Sequence, residues 1–565
     1  MRFTVLACDY DGTIAREGHV DDKTAWDLGR VRTSGRRLVL VTGRDLPTLR
    51  AVCPHLELFD RVVAENGALL YRPDDGSEQV LAEAPPAALV ERLRGNGVPV
   101  DIGRAVIFTW RPNEVAALEA IAQLGLGHQV LLNRQAVMVV PPGVTKGTGL
   151  LAALDELRMS AHNTVAVGDA ENDHDLIAVA ACGVAVGDSV PALAEHADRV
   201  TEAAGPDGTR ELIAALLDDD LASWGVENRP VPMGRDADGT DVAWSPAGST
   251  LLVTGGSGSG KSTLVSALIE GLAAAQYQVV AVDPEGDFDD LPGAVNVGTP
   301  QTAPPVQELA DVVEAGVGVI VASLLAVAMD DRPGVTRELL GRLADISGRL
   351  GRPHAVVVDE AHHAFPDAAP IDIGALPAGL VLVSNSPEHL QQEVLTGVET
   401  VVAVGGAAPD LIDEAARAIG TTPPTARGDA DRDAVAWRVA DGRVSSFEPL
   451  PARHRRRRHS TKLLTGDVGE GERLVITGAD DSLSLDVRNL SEMVRIAEGV
   501  DHSTWSHHRE RHDWSRWVRD ALDDDDLADA IEEIESTEVD PDAGRRKLRE
   551  DVALRYPGLE SDGPS

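Results

Sequence analysis

An apolar run that ends in two carboxylates and a glycine constrains this chain more than any other stretch. Residues 5–13 read VLACDYDGT, the pattern of a buried parallel strand that delivers acids to a site at its carboxyl end. Asp9 closes the strand in this reading and Asp11 lies just beyond it. A carboxylate in the position of Asp9 can attack a phosphoryl group once a divalent cation masks the repulsion between the two anions. Asp11 can then give a proton to the leaving oxygen and take one from water. Gly12 permits a sharp turn and Thr13 adds a hydroxyl. An ordinary polar turn would use the same residue types, so a phosphate site also requires a second phosphate-binding strand end, a cation and more acids later in the chain.

Three later stretches supply these parts. Residues 38–44, LVLVTGR, form a second apolar strand ending at Thr42, whose hydroxyl and neighbouring amides can bind phosphate oxygens. Lys146, in GVTKGTGL, opens a helix with a cation able to neutralise both nucleophile and phosphate. Residues 164–173, TVAVGDAEND, make a third strand ending at Asp169, with Asp173 one helical turn later as a further oxygen ligand for magnesium. The ordered set resembles the haloacid dehalogenase superfamily of phosphatases, in the Cof-like branch that carries an α/β cap. Residues 65–68, ENGA, are similar to that branch's signature. The resemblance spans residues 1–217, with the cap at about 71–141 given the usual drift of boundaries. It implies an aspartyl-phosphate on Asp9, general acid/base work by Asp11, and phosphate contacts from Thr42 and Lys146. Magnesium would sit on Asp9, the Asp11 carbonyl and Asp169, supported by Asp173 and Asn172.

Residues 218–228 read as an acidic linker, and a second unit spans residues 229–452. Residues 251–263, LLVTGGSGSGKST, place G-x-x-x-x-G-K-S between a strand and a helical run, the context a P-loop requires. Gly255, Gly258 and Gly260 let backbone amides wrap the phosphates of ATP, Lys261 bridges the β and γ oxygens, Ser262 reaches magnesium and Thr263 continues the motif. Residues 355–360, AVVVDE, end a second buried strand in Asp359, for the magnesium shell, and Glu360, to polarise an attacking water. Ser384 and Asn385 stand where a γ-phosphate sensor would lie. With the Asp238-Gly239 hairpin and residues 282–287, VDPEGD, this half resembles the HerA/FtsK-type ATPases.

The fold class is therefore α/β throughout: a Rossmann-like core with an α/β cap, then a RecA-like P-loop domain, then a small, mostly helical module over residues 453–565. With 51 Lys plus Arg against 92 Asp plus Glu, the formal charge of -41 disfavours nucleic acid and anionic membranes over most of the surface. The exception would be a local basic groove, for which the run HRRRRH at residues 454–459 is the candidate, although a solvated connector is the plainer reading. No stretch has the ~20 apolar residues that span a bilayer, and three scattered cysteines suit a reducing cytosol, so a cytoplasmic location is expected. Only five lysines occur, and two of them, Lys146 and Lys261, fall in phosphate motifs. Residues 505–535 read as helical, with Trp514, Trp517, Val518 and Leu522 on one apolar stripe. His507, His508 and His512 read as surface or stripe-edge residues, because no paired ligand spacing accompanies them.

Two function classes are consistent with these motifs. In one, a magnesium-dependent phosphatase acts on a small phosphorylated metabolite such as a sugar phosphate, with a fused domain that binds and hydrolyses ATP. In the other, an ATP-driven motor or switch of the HerA/FtsK type, able to oligomerise through its ATPase domain, carries the phosphatase as an accessory.

Overall fold

In the computed structural model, the run Val5–Asp9 is a fully buried strand at the middle of an eight-stranded sheet. The structure describes all residues except 134, 227–228, 247, 257–258, 290, 366–375, 427–431, 454–462, 465–467, 469–472, 479–483, 523, 538–539 and 557–565. The arginine run at 454–459 and Gly258 thus lie outside the described residues. In the first sheet Val5–Asp9 pairs in parallel with Arg37–Val41 on one side and Thr164–Gly168 on the other. Residues 38–41 and Thr164–Gly168 are buried on both faces, which is why they read as nearly continuous apolar strings rather than alternating ones. Cys182–Ala185 and Arg199–Val200 extend the sheet in parallel beyond Thr164–Gly168. On the far side Arg61–Ala64 is parallel, and Leu69–Tyr71 and Glu78–Val80 close the edge antiparallel.

Between residues 87 and 140 a separate four-stranded antiparallel sheet forms from Asp101–Ile102, Ile107–Trp110, Ala136–Val140 and Gln129–Asn133. The helices Ala87–Gly95 and Glu114–Gln123 pack on it through Leu89, Leu93, Ala117 and Ala120.

The second large sheet has eleven strands. Thr250–Thr254, which leads into the P-loop, lies between Leu380–Ser384 and Val398–Val404, and Ala355–Val358 comes next beyond Leu380–Ser384. This sheet is parallel from Val398–Val404 to Ala294–Val297. The Asp238-Gly239 hairpin joins Val231–Arg235 to Asp241–Trp244 at its antiparallel end. Among the described residues, the C-terminal module packs the helices Leu490–Gly499, His502–Glu510, Asp513–Leu522, Asp525–Ser536 and Pro541–Arg555 and the strand pair Leu474–Thr477 and Ser484–Val487 around Trp505, Trp514 and Ile531. Its helical run divides into His502–Glu510, Asp513–Leu522 and Asp525–Ser536, with His512 left-handed (φ 54) at the first break. His508 is buried there, its Nδ1 2.7 Å from Asp513 and its Nε2 against Thr477, so it serves packing.

The two large sheets meet at the amino ends of their acid-bearing strands. Asn163 precedes Thr164–Gly168 in the first sheet, and His354 precedes Ala355–Val358 in the second. The Nε2 of His354 lies 3.0 Å from Asn163 Oδ1. His162 stacks on Tyr277 at 3.6 Å between ring centroids, and its Nε2 lies 2.7 Å from the Ala275 carbonyl. At ~3.3 Å per residue, Asp169 lies about 20 Å and Asp359 about 17 Å along their strands from this seam.

Candidate active site

The first site forms where the central parallel strands end. Asp9 is the last residue of its strand, and the register Asp9 to Val41 brings Thr42 out one residue further along the neighbouring strand. Asp169 follows Thr164–Gly168 on the other side. One oxygen from each of Asp9, Asp169 and Asp173 falls within 4.8 Å of the others, and all three residues are buried. Lys146 begins the helix Lys146–Leu157, which is held by a capping box between Thr145 and Thr148. Its ammonium is fully buried and donates to Asp9 Oδ1 and Asp173 Oδ1, both at 2.6 Å. Asp173 Oδ2 accepts from the amides of Asp169 and Ala170 at 3.0 Å each, so this side chain fixes both Lys146 and the loop that carries Asp169. Thr13 Oγ1 donates to Asp169 Oδ1 at 3.3 Å.

Burial pushes the Asp9 carboxyl well above its ordinary pKa, and repulsion from Asp173 and Asp169 adds to this while Lys146 opposes it. Burial also works against the Lys146 cation, but Asp173 and Asp9 outweigh it and hold its pKa above the ordinary value. Three buried carboxylates around one ammonium leave an excess of negative charge. The donor set is all oxygen, which suits a hard divalent cation such as magnesium.

The carboxylate of Asp11 sits outside this group. Arg44 grips it bidentately, Nε to Oδ2 at 2.6 Å and Nη2 to Oδ1 at 2.7 Å. Arg44 lies in the LVLVTGR run, yet nothing in that run announces which acid it will meet. Glu65 is a second residue whose role the sequence hides. It is buried, left-handed (φ 52), and its carboxylate accepts from the amides of Arg104, Ala105 and Val106 at 2.7–3.2 Å. It therefore pins the core to the loop that joins two strands of the smaller sheet. Asn172 donates to Asn66 Oδ1 at 3.0 Å, tying the Asp169 loop to the ENGA turn.

The second site stands at the carboxyl end of the eleven-stranded sheet. Gly260 adopts φ 97 and Lys261 starts the helix Lys261–Ala274, which also carries Ser262 and Thr263. The Lys261 ammonium folds onto the Gly255 and Gly256 carbonyls at 2.6 and 3.0 Å. Burial lowers its pKa, and the nearby Glu360 and Asp359 oppose that. Glu360 is left-handed (φ 45) directly after buried Asp359. His362 Nδ1 lies 3.3 Å from Glu360 and 3.5 Å from Ser384 Oγ. Asp283, the end of the strand Val279–Asp283, accepts amides from Glu285, Gly286 and Phe288 and so shapes the neighbouring loop.

Known proteins divide the chain in the same two parts. The profile of haloacid dehalogenase-like hydrolases matches residues 6–93 and 127–213, and that of an AAA domain matches residues 247–399. The phosphoglycolate phosphatase of Haloarcula marismortui is 32% identical over 222 residues, covering 38% of this chain and 97% of that protein. The phosphoglycolate phosphatase of Halorubrum lacusprofundi is 34% identical over 222 residues, covering 37% of this chain and 96% of that protein. A haloacid dehalogenase-like hydrolase from Bacteroides thetaiotaomicron, of known crystal structure, aligns with 19% identity and a TM-score of 0.33 over 38% of this chain and 99% of its own. The chain therefore belongs to the haloacid dehalogenase-like hydrolases, as a phosphoric monoester hydrolase with an AAA P-loop domain behind it.

Proposed function

We propose that the first domain hydrolyses a small phosphorylated metabolite through an aspartyl-phosphate on Asp9, and that the second binds and hydrolyses ATP. The observation that carries the first part is the buried group of Asp9, Asp169 and Asp173 around the Lys146 ammonium. Asp9, Asp169 and Asp173, with the Asp11 backbone, would hold magnesium, which would offset the charge between the nucleophile and the incoming phosphate. Lys146 keeps Asp9 oriented, and Thr42 offers its hydroxyl to a phosphate oxygen. Asp11, held by Arg44, would turn from that pair to protonate the leaving oxygen and later to take a proton from water. The smaller antiparallel sheet, tethered through Glu65, serves as the cap that selects the substrate. Phosphoglycolate, from the names of the two relatives, and a sugar phosphate are the first candidates to assay.

In the second domain Gly255, Gly258, Gly260, Ser262 and Thr263 would bind the ATP phosphates and their magnesium. Lys261 would leave the Gly255 and Gly256 carbonyls for the γ-phosphate, Asp359 would complete the metal shell, and Glu360 would polarise the water. A HerA/FtsK-type role belongs to this proposal as its finer form. DNA-stimulated ATP hydrolysis by a ring-sized species would support it, and a monomer indifferent to DNA would remove it.

Separating the two activities tests the whole reading. Asp9→Asn should abolish phosphate release from an aryl phosphate and leave ATP turnover intact, and Lys261→Ala should do the reverse. Loss of both activities from either change would show a single shared engine and sink the proposal.

A further inference from the structure

Next to the seam lies an inter-domain cleft of about 490 Å³, walled by Arg158, Asp155 and His162 from the hydrolase and by Gln276, Arg352 and His354 from the P-loop domain. That volume is in the range of small-molecule sites. Its unusual member is Arg352, only 6% exposed. Of the three buried arginines among the described residues, Arg36 pairs with Asp220 at 2.9 Å and Arg545 with Asp542 at 3.3 Å. Arg352 has no carboxylate within ion-pair distance among the described residues. Its Nη2 donates to the Glu314 backbone carbonyl at 3.0 Å and its Nε has no partner. The Glu314 carboxylate is instead engaged by Arg349 at 2.7 Å.

A buried guanidinium without a counter-charge is costly, and buried charges in proteins are ordinarily paired. Here the cost is raised further by a second cation, since burial first and then Arg158 pull the Arg352 pKa down, with Glu314 opposing. Arg158 itself ends the helix Lys146–Leu157 in the left-handed conformation (φ 54), exposed and without an ion pair among the described residues. In a chain of formal charge -41, two unneutralised guanidinia facing one cleft are a local reversal of sign. Among the described residues, the only carboxylate on its wall is Asp155.

We infer that this cleft binds a small phosphate-bearing anion, held by Arg158 from the hydrolase side and Arg352 from the P-loop side. Guanidinium forks match tetrahedral phosphate oxygens. Such a ligand touches both domains at once. Arg158 ends the helix that Lys146 begins, and Arg352 lies just ahead of the strand that leads to Asp359, so occupancy biases how the two domains sit on each other. Inorganic phosphate and an organic phosphate monoester present the same group, and the test separates them.

The full chain is titrated calorimetrically in EDTA, which stops turnover, with inorganic phosphate and in parallel with glycerol phosphate. Wild type is compared with Arg158→Asn, which removes the charge and tolerates the left-handed backbone, and with Asp155→Asn. The catalytic phosphate sites are common to all three proteins, so differences between isotherms belong to the cleft. The expected result is a saturable event weakened at least about tenfold in Arg158→Asn, the loss of a charge-assisted hydrogen bond of ~1.4 kcal/mol or more, and strengthened in Asp155→Asn. Tighter binding of the ester identifies an organic phosphate as the ligand, and tighter binding of the free ion identifies phosphate itself. Superimposable isotherms of wild type and Arg158→Asn with both probes overturn the inference.

Discussion

Acidification should loosen the seam between the two domains through one residue, His354. Its protonation state is fixed by its neighbours. The Gln278 amide donates to Nδ1 at 2.8 Å, so the ring proton is on Nε2, which donates to Asn163 Oδ1. Asn163 in turn donates from Nδ2 to the Arg2 and Gly351 carbonyls at 2.8 and 3.1 Å. A second ring proton would face the Gln278 N–H, and burial, with lesser contributions from His162 and Arg352, takes the His354 pKa down to about 3. The unfolded value is about 6.5. A histidine with a depressed folded pKa binds fewer protons when folded, so its stabilising share is complete above about pH 6.5 and is lost as pH falls through the window toward 3. Between pH 7.5 and pH 5 the loss is roughly 1.36 kcal/mol for each of about 1.5 units, or ~2 kcal/mol. Chemical denaturation at both pH values, for wild type and His354→Gln, isolates this share because the other titrating groups are common to both. Wild type should lose about 2 kcal/mol more than the variant on acidification. Equal losses would refute the assignment of the seam's pH sensitivity to this ring.

Three further outcomes concern the hydrolase site. Glu65→Ala strands the buried amides of Ala105 and Val106 at about 1–3 kcal/mol each, and the part-buried amide of Arg104 besides, so limited proteolysis should cut between the smaller sheet and the core much faster than in wild type; an unchanged rate would show that Glu65 is not the tether. Gly67 stands at φ 110 where a Cβ would overlap the Thr145 carbonyl, the cap of the Lys146 helix. Gly67→Ala should therefore slow phosphate release at least about tenfold through displacement of that helix, with ATP turnover unchanged, and a wild-type rate would contradict the close approach. EDTA should abolish release of phosphate from an aryl phosphate and added magnesium should restore it, whereas full activity in EDTA would take the divalent cation out of the reaction.

What could be read from the chain divides along physical lines. Asp9, Lys146, Asp169, Lys261 and Asp359 were legible because each sits where an apolar strand or a helix start meets a residue type that phosphate chemistry demands, all within about ten residues of sequence. The residues that position them obey no such rule. Arg44 meets Asp11 across 33 residues, Glu65 meets the Arg104 amide across 39, and His354 meets Asn163 across 191. Any of several residue types could have done that work from another place, so neither composition nor spacing marks them, and only the path of the chain does. The three-helix division of residues 505–535 was hidden for a related reason. The tryptophan stripe is helical in period on both sides of His512, and periodicity does not register one left-handed residue that redirects the helix. The seam is the most consequential of the hidden features. Both acid-bearing strands begin at it and run roughly 17–20 Å to sites at their far ends. A small shift of strand origin at the Asn163–His354 pair is one route by which either centre can influence the other, beside the cleft between Arg158 and Arg352.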